Sequence, residues 1–298
     1  MSLITHHSPA PSANFEPRYD LHPEQTEHIT TEFLRRETAG MRGRYVCIEV
    51  ADGEEMSNVA RGVEREVFED TFENDASVME EIYGSYDQEG ISTFFVGFDR
   101  RKAKAISVVR AMGWSARAGI MTVNEAQKPD WINVSMADME AAHGLDEETL
   151  RHTWDVGTLA VLREYRGKLS GLQASLLPYR GFYLASTERG IKKMTVIMDP
   201  RARRSLERLG IPLENICGSD PVDYHGSKNS TFVIGDIAES MPAIEAQARQ
   251  LRKDARLTVN DVLHPNKDDI LKRRLYARAA GGLASGRGLD SRISLLNR

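Results

Sequence analysis

The stretch from Thr153 to Gly190 constrains the fold more than any other part of the chain. TWDVGTLAVL is an apolar run rich in β-branched residues, and it reads as a strand. A basic, Gly-containing turn follows, and then SGLQASLLPYRGFYLASTERG, which reads as a helix. Pro178 and Gly181 should bend or break that helix. A strand, a Gly-containing loop and a helix N-terminus in this order make a ready anion site, because first-turn amides lack partners within the helix. A plain strand-to-helix connection is the alternative.

The rest of the chain supplies a sheet around this unit. RYVCIEVAD reads as a strand, and ISTFFVGFD with AISVVRAMGW as a strand-turn-strand. KKMTVIM is a further strand, and NICGSDPVDYHG with STFVIGDI suggests a strand pair. In EEMSNVARGVEREVFEDTFEN, Met56, Val59, Ala60, Val63, Val67 and Phe68 recur at helical spacing, which predicts an amphipathic helix. LHPEQTEHITTEFLRRE reads as a polar helix closed by Gly40, with a short helix over Ser77–Tyr83 and a helical patch around Val134–Ala142. PRARRSLERLG starts with proline and ends at glycine, as helices prefer. The order predicts an α/β (α+β) fold with a mixed sheet of about six or seven strands. Three regions follow: a disordered and helical extension over 1–40, a catalytic domain over 41–240, and a basic helical extension over 241–298. Residues 1–20 are rich in Pro, Ser and His and are expected to be disordered, and GGLASGRG has a flexible linker composition.

Composition sets the outer limits. The 298 residues are 41% hydrophobic and 28% charged, as in ordinary globular chains. Two cysteines, Cys47 and Cys217, are too few for a disulfide framework and suit a reducing compartment. The first twenty residues lack the apolar core of a secretory signal, and no run approaches the roughly 18 apolar residues of a membrane span. A soluble, cytoplasmic protein is expected. The net charge of −5 is unevenly spread: residues 249–298 carry twelve Arg/Lys against five Asp, which leaves −12 on the remainder. The tail is either a solvated amphipathic helix with a loose end or a docking surface for something acidic, such as a carrier protein or RNA.

WDVGTLAVLREYRGKLSGLQ, followed by a helix, a strand and DPRARRSLERLGI, resembles the GNAT acyltransferases. In that family the fourth strand ends in an apolar triplet and runs into Gln/Arg-x-x-Gly-x-Gly/Ala, whose amides hold the pyrophosphate of coenzyme A. Here Arg166 fills the first position and Gly171 the last, while Leu169 replaces the middle glycine. The resemblance implies a GNAT-like, mostly antiparallel central sheet flanked by helices. It implies a donor site made by Leu159, Ala160 and Val161 with the loop Arg166, Gly167, Lys168, Leu169, Ser170 and Gly171. The tyrosine that often protonates the leaving thiolate is replaced by Leu206. Acyl-homoserine lactone synthases and N-acyl amino acid synthases form a branch that also lacks it. REVFEDTF, YDQEG, Arg110 of SVVRAM and PVDYHG are similar to segments of that branch. Its Glu-x-Ser-Arg at the fourth strand is here Asp155, Val156, Gly157 and Thr158, so the carboxylate remains and the arginine does not. Homoserine lactone synthesis is therefore not expected, but acyl transfer of that general form is.

Acyl transfer to an amine needs a base, a polarised thioester carbonyl and a donor held in line. Asp155 is the candidate base, since partial burial would raise its pKa, with strand-end pairing as the alternative. A backbone N–H near Leu159–Val161 is the implied oxyanion donor. Lys168 and Arg163 could add charge for phosphate. Arg110, Trp154 and Tyr224 are candidates for the acceptor side, where a guanidinium suits a carboxylate. A salt bridge for Arg110 and core packing for Trp154 are their alternatives. His225 could relay a proton, although a lone loop histidine, like His152, ordinarily does not. No cluster has metal-ligand spacing. The expected activity is N-acyl transfer from acyl-CoA or an acyl carrier protein to a small-molecule amine. An aminoacyl-tRNA donor on the same fold and a catalytically degenerate binding protein are the alternatives.

Overall fold

Among the described residues the strands form an eight-stranded sheet in the order β1-β2-β3-β4-β5-β8-β6, with β7 on β8. They are β1 (Tyr45–Ala51), β2 (Ser92–Asp99), β3 (Lys104–Met112), β4 (Thr153–Val161), β5 (Lys193–Met198), β6 (Glu214–Asn215), β7 (Val222–Tyr224) and β8 (Ser227–Asp236). Every pairing is antiparallel except β4 with β5. The helices are α1 (Pro23–Glu37), α2 (Glu55–Phe72), α3 (Ala76–Glu89), α4 (Met121–Ala126), α5 (Met136–His143), α6 (Glu147–Arg151), α7 (Leu169–Glu188), α8 (Pro200–Arg208) and α9 (Ile237–Asp254). This computed structural model describes residues 15–39, 43–166, 169–254, 277 and 279–283. The mixed, mostly antiparallel α/β sheet is the one expected. It has one strand more than predicted because β6 and β7 are two and three residues long.

Helices cover both faces, so the central strands are apolar on both sides. On one face α1 and α2 bring Phe33, Met56, Val59 and Val63 onto Ile48, Phe94 and Val108. On the other face, Leu176 and Phe182 of α7 and Ile244 of α9 pack on Phe95, Val109 and Trp154. The helical residues 279–283 join this second core through Ala280 and Leu283. That corrects the linker reading of GGLASGRG for its first three residues, which apolar burial holds in place. No described helix is long and apolar enough to cross a membrane.

α7 runs through Pro178 without a break, contrary to expectation. Proline frees the carbonyl four residues earlier, Ala174 O. The Ser107 hydroxyl on β3 donates to that oxygen at 2.5 Å. A neighbouring strand thus supplies the hydrogen bond that the helix lacks. Gly181 lets α7 lie close to the sheet: a Cβ there would sit 3.0 Å from the Phe95 ring and 3.2 Å from Cys47 Sγ.

The N-terminal segment also departs from expectation. Tyr19 is buried, and its hydroxyl donates to Asp87 at 2.8 Å. Residues 15–20 are therefore packed on the domain, while 1–14 lie outside the described residues. α3 is twice the length predicted, because Asp75 caps its first amides and Gly90, at φ 64°, ends it.

Candidate active site

β4 and β5 pair over three residues only, Thr153–Lys193, Trp154–Met194 and Asp155–Thr195. Beyond that point β4 stays with β3 as far as Val161, and β5 stays with β8 as far as Met198. Among the described residues their facing edges have no strand partner across the gap. A cavity of about 520 Å³ fills the parting and passes through the sheet. Val67, Phe68 and Phe72 of α2 with Ile82 and Tyr83 of α3 line one end. Val156, Gly157, Leu159 and Val161 of β4 face Val196 and Met198 of β5 across it. Tyr179 of α7 with Ala202 and Ser205 of α8 line the opposite face of the sheet.

Asp155 sits at the fork and does not line the cavity. Its carboxylate accepts from Thr122 N at 2.5 Å, Thr122 Oγ1 at 3.1 Å and Thr195 Oγ1 at 3.2 Å. Burial pushes its pKa up to about 7, against those hydrogen bonds, which favour the charged form. The carboxylate proposed from the sequence as a base ties α4 to the last paired residues of β4 and β5, which is the strand-end pairing given as its alternative. Two residues on, the register of β3 and β4 shifts at Gly157. The Tyr83 hydroxyl donates to the Gly157 carbonyl at 2.6 Å. A Cβ at Gly157 would stand 2.9 Å from that ring. This bulge holds β4 backbone at the cavity wall, where the amides implied as an oxyanion site are sought.

Arg110 and Trp154 do not reach the cavity either. Arg110 is fully buried beneath Tyr83, with its guanidinium 4.3 Å from the ring centroid. It donates to Asp87 at 2.5 Å, to Ser92 and Tyr19 hydroxyls, and to Glu64 at 3.4 Å. Arg61 shares Asp87 and also holds Asp52. Burial works against the charge on Asp87, but Arg110 and Arg61 outweigh it and hold the carboxyl below its ordinary range. An arginine so engaged has no donor left for an acceptor carboxylate, which corrects its sequence assignment. Trp154 packs between Phe95 and Phe182 as core.

On the donor side Leu159 and Val161 line the cavity, whereas Ala160 points to the α1–α2 core. Strand alternation makes that split unavoidable. Arg166 reaches the cavity wall and donates from Nε to Val161 O at 2.6 Å. Gly167 and Lys168 lie outside the described residues, and α7 begins at Leu169, with Ser170 and Gly171 in its first turn. The N-terminus of the 20-residue α7 therefore opens next to Arg166. The N-terminus of α8 is already occupied, since Asp199 accepts from Arg201 N and Ala202 N. Leu206 is buried in the core, so α8 offers no acid at that position.

Tyr224, a candidate for the acceptor side, lines the cavity, and so does His225. Tyr179 had no signal in the sequence, because nothing local distinguishes it within α7. Burial and the nearby Asp199 push its hydroxyl up to about 12. Tyr83 was equally hidden, as its partner Gly157 lies 74 residues away.

No family model matches the sequence, and no curated protein does. Solved structures align with part of the chain. One is BjaI, a CoA-dependent acyl-homoserine lactone synthase with SAM and isopentyl-CoA, at 12% identity and a TM-score of 0.43, over 69% of this chain and 89% of that one. Another is FeeM, an N-acyl amino acid synthase from uncultured soil microbes, at 12% identity and a TM-score of 0.43, over 68% and 96%. A third is MesI, a CoA-dependent acyl-homoserine lactone synthase, at 13% identity and a TM-score of 0.37, over 68% and 94%.

Proposed function

We propose that this protein is an N-acyltransferase that moves an acyl group from a thioester, acyl-CoA or an acyl carrier protein, to a small-molecule amine. The carrying observation is the parted pair β4–β5, with a cavity through the sheet and strand edges that lack partners among the described residues. Such edges can hydrogen-bond an extended, amide-containing arm as a strand would. The pantetheine arm of a thioester donor has that form. Leu159 and Val161 would flank the arm, and Arg166 with the α7 N-terminus would take its phosphate. The apolar end made by Val67, Phe68 and Ile82 would take the acyl chain. Tyr224 lies on the side left for the acceptor.

Purified protein mixed with acyl-CoAs of short, medium and long chain tests the donor. A ligand at a hundred times its Kd adds about 2.7 kcal/mol of stability, which is a rise of several degrees in melting temperature. Stabilisation by at least one acyl-CoA or by an acylated carrier protein is expected. No shift with either donor, and no thiol release with an amine present, would remove the reading. Nucleic-acid affinity that falls steeply with salt would favour an aminoacyl-tRNA donor instead.

A further inference from the structure

Attack by an amine on a thioester requires a proton to leave nitrogen and another to reach sulfur. Asp155 is sealed at the fork, and Asp199 is engaged by two α8 amides. The Tyr83 hydroxyl is given to the Gly157 carbonyl. Imidazole is the side chain that changes charge near neutral pH, and His225 stands in the cavity wall.

The tip of the β7–β8 hairpin is built to hold that ring still. His225 has a left-handed backbone, φ 41°, which few residues other than glycine adopt. Its carbonyl accepts from Asn74 Nδ2 at 3.1 Å. Its ring meets Tyr224 edge-on at 4.5 Å and Trp131 at 5.8 Å. Trp131 is itself held by Glu125 through its indole N–H. The next residue, Gly226, lies so close to α2 that a Cβ would come within 2.8 Å of the Phe72 carbonyl. The tip is thus fastened to the end of α2, while among the described residues no hydrogen bond takes up either ring nitrogen. A group that accepts a proton needs that open lone pair.

We propose that His225 is the proton acceptor for the attacking amine, and that the hairpin tip carrying it is the acceptor end of the cavity. The inference rests on the acyltransferase reading. The amine nitrogen bonds to the thioester carbon, and a ring nitrogen of His225 takes the proton that nitrogen sheds. The C–S bond then breaks with its electron pair on sulfur, and the imidazolium returns the proton to the thiolate. The products are an amide and a free thiol, with no other reactant. One residue so serves as base and then as acid, which accounts for an α8 that carries buried Leu206 and no tyrosine there. Thr71, Asn74, Ser227 and Ser230 surround this end with hydroxyl and amide groups. They suit a polar amine such as an amino alcohol or amino amide.

The test uses the full-length protein with acyl-CoA and a panel of ethanolamine, glycinamide and free amino acids, with thiol release as the readout. His225→Asn keeps a residue that tolerates the left-handed backbone and removes the imidazole. Turnover is expected to fall about 100-fold or more, with stabilisation by acyl-CoA retained. A second measurement needs neither a variant nor an acceptor. Acyl-CoA is expected to protect His225 from diethyl pyrocarbonate, as located by peptide mass spectrometry. Unchanged turnover in His225→Asn, or labelling of His225 that bound acyl-CoA does not slow, overturns this inference alone. A wild-type protein that neither binds nor turns over any donor overturns the acyltransferase reading with it.

Discussion

A carboxyl group closed in at the fork of two strands has a measurable effect on stability. The pKa of Asp155 is raised by burial to about 7, above the ordinary value near 4 that it has in the unfolded chain. Its contribution is therefore fully present below about pH 4 and is lost as pH rises through about 7. The size of that loss is on the order of 4 kcal/mol. Urea unfolding across this range should show wild-type stability declining, with a flatter profile for Asp155→Asn; equal slopes would refute the assignment. WDVG marks the carboxylate plainly in the sequence, but its partners Thr122 and Thr195 lie 33 residues before it and 40 after. Arg110 is similar, since Tyr19 and Asp87 reach it from 91 and 23 residues away. Only the fold brings these groups together, and it changes their roles.

At the scale of elements, α7 carries a proline in its interior because β3 supplies what proline removes. Ser107→Ala should leave the Ala174 carbonyl without its partner and cost about 1–3 kcal/mol. In a Pro178→Ala background the restored N–H of residue 178 can donate to the Ala174 carbonyl itself, so the same change should cost clearly less. A double-mutant cycle by chemical denaturation measures the difference, and strict additivity would contradict it. The sequence showed Pro178 but not that Ser107 stands beneath it. It did show α2, whose Met56, Val59 and Val63 recur at helical spacing and are buried. It missed α4 and α6, which at six and five residues are too short for a period to register.

On the scale of the whole molecule, the N-terminal segment is part of the domain. Tyr19 closes the buried cluster of Arg61, Asp87 and Arg110 from outside. Tyr19→Ala should cost about 3–5 kcal/mol, as other losses of a buried aromatic do. Removing residues 1–20 should reproduce most of that loss in a thermal melt. A truncated protein that melts with the full chain would show that the segment adds nothing. Nothing local signals this, because a lone tyrosine among Pro, Ser and His has no period.

The sequence by itself determined the strand order along the chain, the long helices and the strand-loop-helix around Arg166. These depend on spacing that neighbouring residues carry. Tertiary structure alone decided which polar groups meet. It parted β4 from β5 after Asp155, buried both Arg110, a candidate acceptor contact, and Asp155, the candidate base, in the framework, and brought Tyr83, Tyr179 and His225 to one cavity. The physical reason is distance along the chain. Burial, register and hydrogen-bond partners come from residues tens of positions apart, and no local pattern records them.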